Sequence, residues 1–389
     1  MIKLFYNTQP AGNLAELERG KHTAVWPANS LNENPNTFYQ VLNALGIPYE
    51  WSSNPDESIV VADIGSADFH NSPEIESKIE ELCNKYKKVL LFTSQEVWHI
   101  PLIKERLNTY SNLYIMDLTC YNDYNVERYL PFPALIPMIV STEVCNTKVY
   151  TNDLDPTKEK IALYNCLMYI WRKPKHFLFS SLEYHNVLQN GVVTFRTIDI
   201  DNTHINNMKS EIESVIHNVE MPDAYKQILL ENCSKQHLKQ LGDYNIKDEW
   251  FDVLTRYWPI EVFNYTLFSL VCECENGYDN TVPSISEKYL YPVLNGHPVL
   301  TFGQPNFNKN LERLGFALHD EMFDFSFDSI EEDPVRALKM VEQLKDKTVA
   351  DYNPDREKIM HNQHLINNRG SSLWCFLKET MHRYLEILQ

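Results

Sequence analysis

Ser286, Glu287 and Lys288 form the group with the clearest chemical meaning in this chain. They stand where a turn-rich loop gives way to a helical pattern. Ser286 is a plausible N-cap, and Glu287 follows in the first turn. A helix start offers free N–H groups and a positive dipole end, which suit a diphosphate. Lys288 adds a point charge for phosphate, and Glu287 can accept hydrogen bonds from ribose hydroxyls. The plain alternative is a favourable first-turn acid beside a solvated lysine. Upstream, Glu275 and Asn276 open the same loop. A second basic group, Arg172, Lys173, Lys175 and His176, also stands between an apolar run and a helical pattern, and it invites the same reading.

Those residues need elements to position them. Residues 268–274 form an apolar run of buried-strand length. Residues 275–286 carry the turn signals Asn, Gly, Asp and Pro. Tyr289, Leu290, Val293 and Leu294 share one helical face, and Asn295-Gly296 ends that helix. Residues 298–302 read as a second strand, followed by Gly303-Gln304-Pro305. Strand, helix and parallel strand put both loops at the carboxyl edge of a sheet, where open α/β folds bind ligands. The basic group is framed likewise, by a strand over 160–168, a helix over 177–187 and a strand over 192–196.

This pattern resembles the donor-binding segment of the α-1,3-fucosyltransferase family and related phage and bacterial glycosyltransferases, roughly FEN…(T/S)EK…P(V/I)…G.P. The resemblance covers about the C-terminal half. It implies a nucleotide sugar, UDP- or GDP-linked, with Glu287 on the ribose, Lys288 on phosphate and Glu275 beside the sugar. Asn276 and Ser286 belong to the same signature. Residues 171–176 resemble the opening of the donor domain in that group, with Arg172, Lys175 and His176 matching best. Phe177 replaces the usual Arg, and the longer loop leaves sugar identity open. The implied fold is α/β: two doubly wound Rossmann-like domains facing a cleft, as in GT-B glycosyltransferases. The expected division is 1–150 for the acceptor side, 151–368 for the nucleotide sugar, and 369–389 as a helix crossing back to the first domain.

The N-terminal part alternates strands (3–6, 59–64, 88–92, 113–116) with helices (36–45, 73–86), which implies a parallel sheet. It has neither G-x-G-x-x-G nor a Walker motif. Glu96 lies in the loop after the 88–92 strand. The resemblance implies a carboxylate general base there, as an inverting displacement by an acceptor hydroxyl requires. His99 and His70, the latter following Asp63 and Asp68, are rival bases. The triplets Asp153-Leu154-Asp155 and Asp199-Ile200-Asp201 have a metal-binding form. The Lys/Arg clamp needs no ion, so no metal and no cofactor beyond the nucleotide sugar is expected. Residues 203–258 read as a polar helical insertion (208–217, 223–233, 235–241), and 333–345 and 371–389 as amphipathic helices.

The chain has 389 residues, 43% hydrophobic, with a formal net charge of −18. That is enough for two domains. Eight cysteines show no framework spacing, and the Cys272/Cys274 pair reads as buried thiols. With no membrane-spanning run and no signal-peptide pattern, a cytoplasmic protein of a bacterium or phage-infected cell is expected. The resemblance implies as acceptor a glycan or hydroxymethylated cytosine in phage DNA. The negative charge speaks against DNA, while basic clusters at Lys85–Lys88, Arg172–Lys175 and Lys309–Arg313 speak for it. A non-catalytic nucleotide-sugar-binding or interaction protein is the reading from another class.

Overall fold

The structure is a computed structural model that describes residues 2–5, 38–64, 73–93, 100–117, 128–132, 159–160, 162–168, 172–196, 202–233, 237–240, 260–273, 285 and 287–389. The chain divides into two compact units. One holds Met1–Thr147, Asn276–Ser286 and Asn368–Gln389, and the other holds Lys148–Glu275 and Glu287–Asn367.

The first unit runs β1 (Ile2–Phe5), α1 (Phe38–Ala44), β2 (Tyr49–Ser52), β3 (Val60–Ile64), α2 (Pro73–Lys85), β4 (Val89–Thr93), α3 (Ile100–Thr109), β5 (Leu113–Asp117) and β6 (Tyr129–Pro131). Strands β3, β4, β5 and β6 form a parallel sheet in sequence order. Strand β1 pairs parallel with β2. It also meets the start of β3, where Phe5 N donates to Ile59 O (3.0 Å) and Ile59 N to Lys3 O (2.9 Å). The order β2-β1-β3-β4-β5-β6 is therefore a doubly wound arrangement whose winding reverses between β1 and β3. Val60, Ala62, Val89, Leu91, Leu113 and Ile115 face Ile79, Leu82 and Leu107 in its core. The buried strands are near-continuous apolar runs, as a sheet covered on both faces demands.

The C-terminal helix, Ser372–Leu388, belongs to this unit. Ser371 caps it, with the hydroxyl accepting from Trp374 N. Its stripe of Leu373, Trp374, Leu377, Met381, Tyr384, Leu385 and Leu388 is buried. Lys88 Nζ donates to Leu388 O at 2.8 Å.

The second unit contains β7 (Ala162–Met168), α4 (Lys173–Tyr184), β8 (Gly191–Arg196), α5 (Asn202–Asn218), α6 (Asp223–Asn232), β9 (His237–Gln240), α7 (Ile260–Tyr265), β10 (Thr266–Cys272), α8 (Glu287–Leu294), β11 (Val299–Phe302), α9 (Phe307–Arg313), α10 (Asp333–Glu342) and α11 (Arg356–Asn367). The sheet order is β11-β10-β7-β8-β9. All pairs are parallel except β8 with β9. Renumbered within the unit, this is the 3-2-1-4-5 order of a dinucleotide-type sheet, with an antiparallel edge strand. The crossovers from β7 to β8 and from β10 to β11 step in opposite directions. Right-handed connections then place α4 and α8 on opposite faces. Helix α4 packs with α6 and α10, and α8 packs with α11.

Expectations for two regions are corrected here. Residues 235–241 were expected to be helical, yet His237–Gln240 is a strand paired with Val193–Arg196. An unpaired sheet edge overrides weak local helix propensity. The stretch 203–258 is also no mere polar cover, since Ile212, Tyr225 and Leu229 are 0% exposed within the core. The second correction is the start of α4, which begins at Lys173 rather than at 177. Pro174 lies in its first turn, where its fixed φ is already helical and its missing N–H costs nothing.

Candidate functional site

The second unit's sheet reverses its winding between β7 and β10. These strands are hydrogen-bonded neighbours, with Phe268 opposite Tyr164 and Ser269 opposite Asn165. Segments leaving their carboxyl ends flank the position where doubly wound sheets take ligands. After β7 comes Arg172, the exposed N-cap residue of α4, followed by Lys173 and Lys175 in its first turn. After β10 come Glu273 and, at the start of α8, Glu287 and Lys288. Both segments singled out by residue type therefore leave adjacent strands at the same edge.

Lys288 is half-buried in the first turn of α8, and Glu287 is its first residue. Gly296 ends that helix with φ 71°, the left-handed turn that glycine tolerates best. Lys175 is 3% exposed. It lies close enough to Cys166 for its charge to favour the thiolate, although burial dominates and pushes that thiol up. His176 differs from the expectation. It is 0% exposed, and its Nε2 meets Leu229 O at 2.9 Å. Burial lowers its pKa to about 4, so it is neutral and Nε2 carries the proton. Because α4 starts earlier than expected, the register turns His176 inward onto α6, and it is a packing residue rather than a ligand contact. Glu96, Glu275, Asn276 and Ser286 lie outside the described residues, as do His70, His99 and both acidic triplets.

Three residues at this edge were not singled out from the sequence. Glu273 is 3% exposed, and its N–H donates to Phe302 O at 2.8 Å. After burial, its charge is what raises the Tyr289 hydroxyl pKa. The C-E-C-E-N run holds two carboxylates at alternate positions, and only the second was read as functional. Asp328 fills the start of α9. Its Oδ1 accepts from Asn308 N (3.1 Å) and Nδ2 (2.8 Å), and its Oδ2 accepts from Lys309 N (3.0 Å). The α9 start is therefore occupied by the protein's own carboxylate and offers no anion site. Arg336, 2% exposed, holds the loop between these elements. It donates to Gly303 O (3.0 Å) and Glu331 O (3.1 Å), pairs with Asp333 and lies over the Phe302 ring.

Beneath α8, His297 donates through Nε2 to Thr266 O (2.9 Å), and Nδ1 accepts from Ser269 Oγ (2.8 Å). Complete burial lowers its pKa to about 3. Among the described residues there is no group of three His, Cys, Asp or Glu placed to hold a metal ion. No helix among them is long and apolar enough to cross a membrane.

No protein-family model matches the chain, and no curated protein matches it. Among solved structures it is similar to an S. aureus MnaA–UDP co-structure, at 11% identity over 100% of this chain and 98% of that one, with a TM-score of 0.35. A likeness that low decides nothing about function, and the α/β assignment rests on the strand orders above.

Proposed function

We propose that this protein is a glycosyltransferase that binds a UDP- or GDP-linked sugar at the carboxyl edge of the second unit's sheet and passes the sugar to an acceptor hydroxyl. The observation that supports it is the pairing of β7 with β10 at the winding reversal. That pairing makes neighbours of the strands from which Arg172 and Lys288 lead away.

In this reading Arg172 and Lys288 neutralise the diphosphate, aided by the starts of α4 and α8, and no metal ion takes part. Lys175 adds charge from beneath the α4 start. Glu287 takes the ribose hydroxyls, and Glu275, with Asn276, lies beside the sugar. Ser286 belongs, in this reading, to the same donor-binding group. Glu96 is the general base that removes the acceptor's proton as the nucleoside diphosphate departs, with inversion at the anomeric carbon. The acceptor is a glycan or 5-hydroxymethylcytosine in phage DNA.

The test is incubation with UDP- and GDP-linked sugars plus either oligosaccharides or hydroxymethylated DNA, reading nucleoside diphosphate release. Acceptor-dependent release that Lys288→Ala abolishes is the expected result. Donor binding without release against every acceptor would leave a binding protein and overturn the transferase reading.

A further inference from the structure

Glu273 N donates to Phe302 O (2.8 Å), which places the end of β10 directly beside Gly303 and Gln304 after β11. Gln304 is 6% exposed, and its side-chain oxygen has no hydrogen-bond partner. Buried amide groups are nearly always paired, because an unpaired one forfeits its hydration without compensation. The loop that presents it is held from several sides. Arg336 Nε binds Gly303 O (3.0 Å), and Phe307 N donates to Gln304 O (3.0 Å). A Cβ at Gly303 would sit 2.6 Å from the Phe307 ring, so only glycine fits there. A flexible loop could turn the amide toward water, and this one is pinned in place. A rigid mount for an unsatisfied polar group at a ligand edge is the arrangement of a preorganised recognition residue.

We infer that Gln304 is a specificity-determining residue whose side-chain amide hydrogen-bonds a hydroxyl of the bound nucleotide sugar. This rests on the nucleotide-sugar reading above. A hydroxyl both donates and accepts, so either atom of the amide serves. The hydroxyl belongs to the ribose or to the transferred sugar, which share this chemistry.

The test compares the full-length wild type with Gln304→Met, an apolar replacement of similar shape. Titration calorimetry with UDP, GDP, UDP-glucose and GDP-fucose gives affinities, and melting without ligand gives stability. Expected is an affinity loss of about 3- to 10-fold for the nucleotide sugar that wild type binds, from one lost hydrogen bond. The ligand-free variant is expected to melt no lower than wild type, because an unpaired polar group has been removed. Loss for the free nucleotide as well assigns the hydroxyl to ribose, and loss for the sugar conjugate alone assigns it to the sugar. Unchanged affinity in the variant overturns the role of Gln304 while leaving the nucleotide-sugar reading standing. A variant that melts lower than wild type overturns it too, since Gln304 is then a structural residue. A wild type that binds none of the four overturns both readings.

Discussion

Lys88 donates a 2.8 Å hydrogen bond to the carbonyl oxygen of Leu388, 300 residues further along the chain. The final carbonyls of a helix lack internal partners and carry the negative end of its dipole. Lys88 satisfies one of them from the start of β4, so the C-terminal helix is capped by the sheet edge of its own unit. Lys88→Met is expected to cost about 0.5–1 kcal/mol. Urea unfolding of the two proteins checks this, and no difference would mean that the helix is held by its apolar stripe alone.

Neutral His297 is fully bonded, giving its one proton to Thr266 O and accepting from Ser269 Oγ. Its folded pKa is lowered to about 3, against about 6.5 when unfolded. Below pH 6.5 the unfolded chain therefore takes up a proton that the folded chain refuses, and stability falls as pH drops toward 3. His176, lowered to about 4 for the same reason of burial, adds to the loss in the upper part of that window. Denaturant unfolding at pH 7.5, 6 and 5 should show stability falling with pH. His297→Asn should be less stable at pH 7.5 yet show a shallower fall.

Arg336 sits in the interior with Asp333 as its counter-charge and Gly303 O among its acceptors. Arg336→Met leaves Asp333 and several carbonyls unpaired, and about 3–5 kcal/mol should be lost. Because the same guanidinium holds the Gly303–Gln304 loop, Arg336→Lys should keep the fold and weaken donor binding more than it lowers the melting temperature. Calorimetry and melting of one preparation separate the two effects.

Glu96 is proposed as the acceptor's base and has no part in holding the donor. Glu96→Gln should reduce turnover at least 100-fold with donor affinity unchanged. Single-turnover assays beside donor titration decide it. Undiminished turnover would direct attention to His70, which follows β3 in the sequence.

Much of the fold was legible because the signal is local. The apolar runs of β4, β7, β10 and β11 were expected within about two residues of their observed bounds, as were the Gly296 helix end and the C-terminal stripe. What escaped depends on partners distant in sequence. Strand β9 exists because β8 offers an edge, and Asp328 caps α9 from twenty residues downstream. Glu273 and Gln304 gain meaning only from burial at one sheet edge, which no spacing rule reports. His176 went the other way, since the early start of α4 rotates it into the core.

The measurement that bears most directly on the central proposal is a thermal-shift panel of UDP-, GDP-, CMP- and dTDP-linked sugars, run with wild type and Lys288→Ala. A ligand that binds only the folded state raises the melting temperature by mass action. The expected result is a clear shift from one nucleotide class that Lys288→Ala loses. No shift from any donor, or a shift that Lys288→Ala leaves unchanged, would contradict the placement of a nucleotide sugar at the β7–β10 edge.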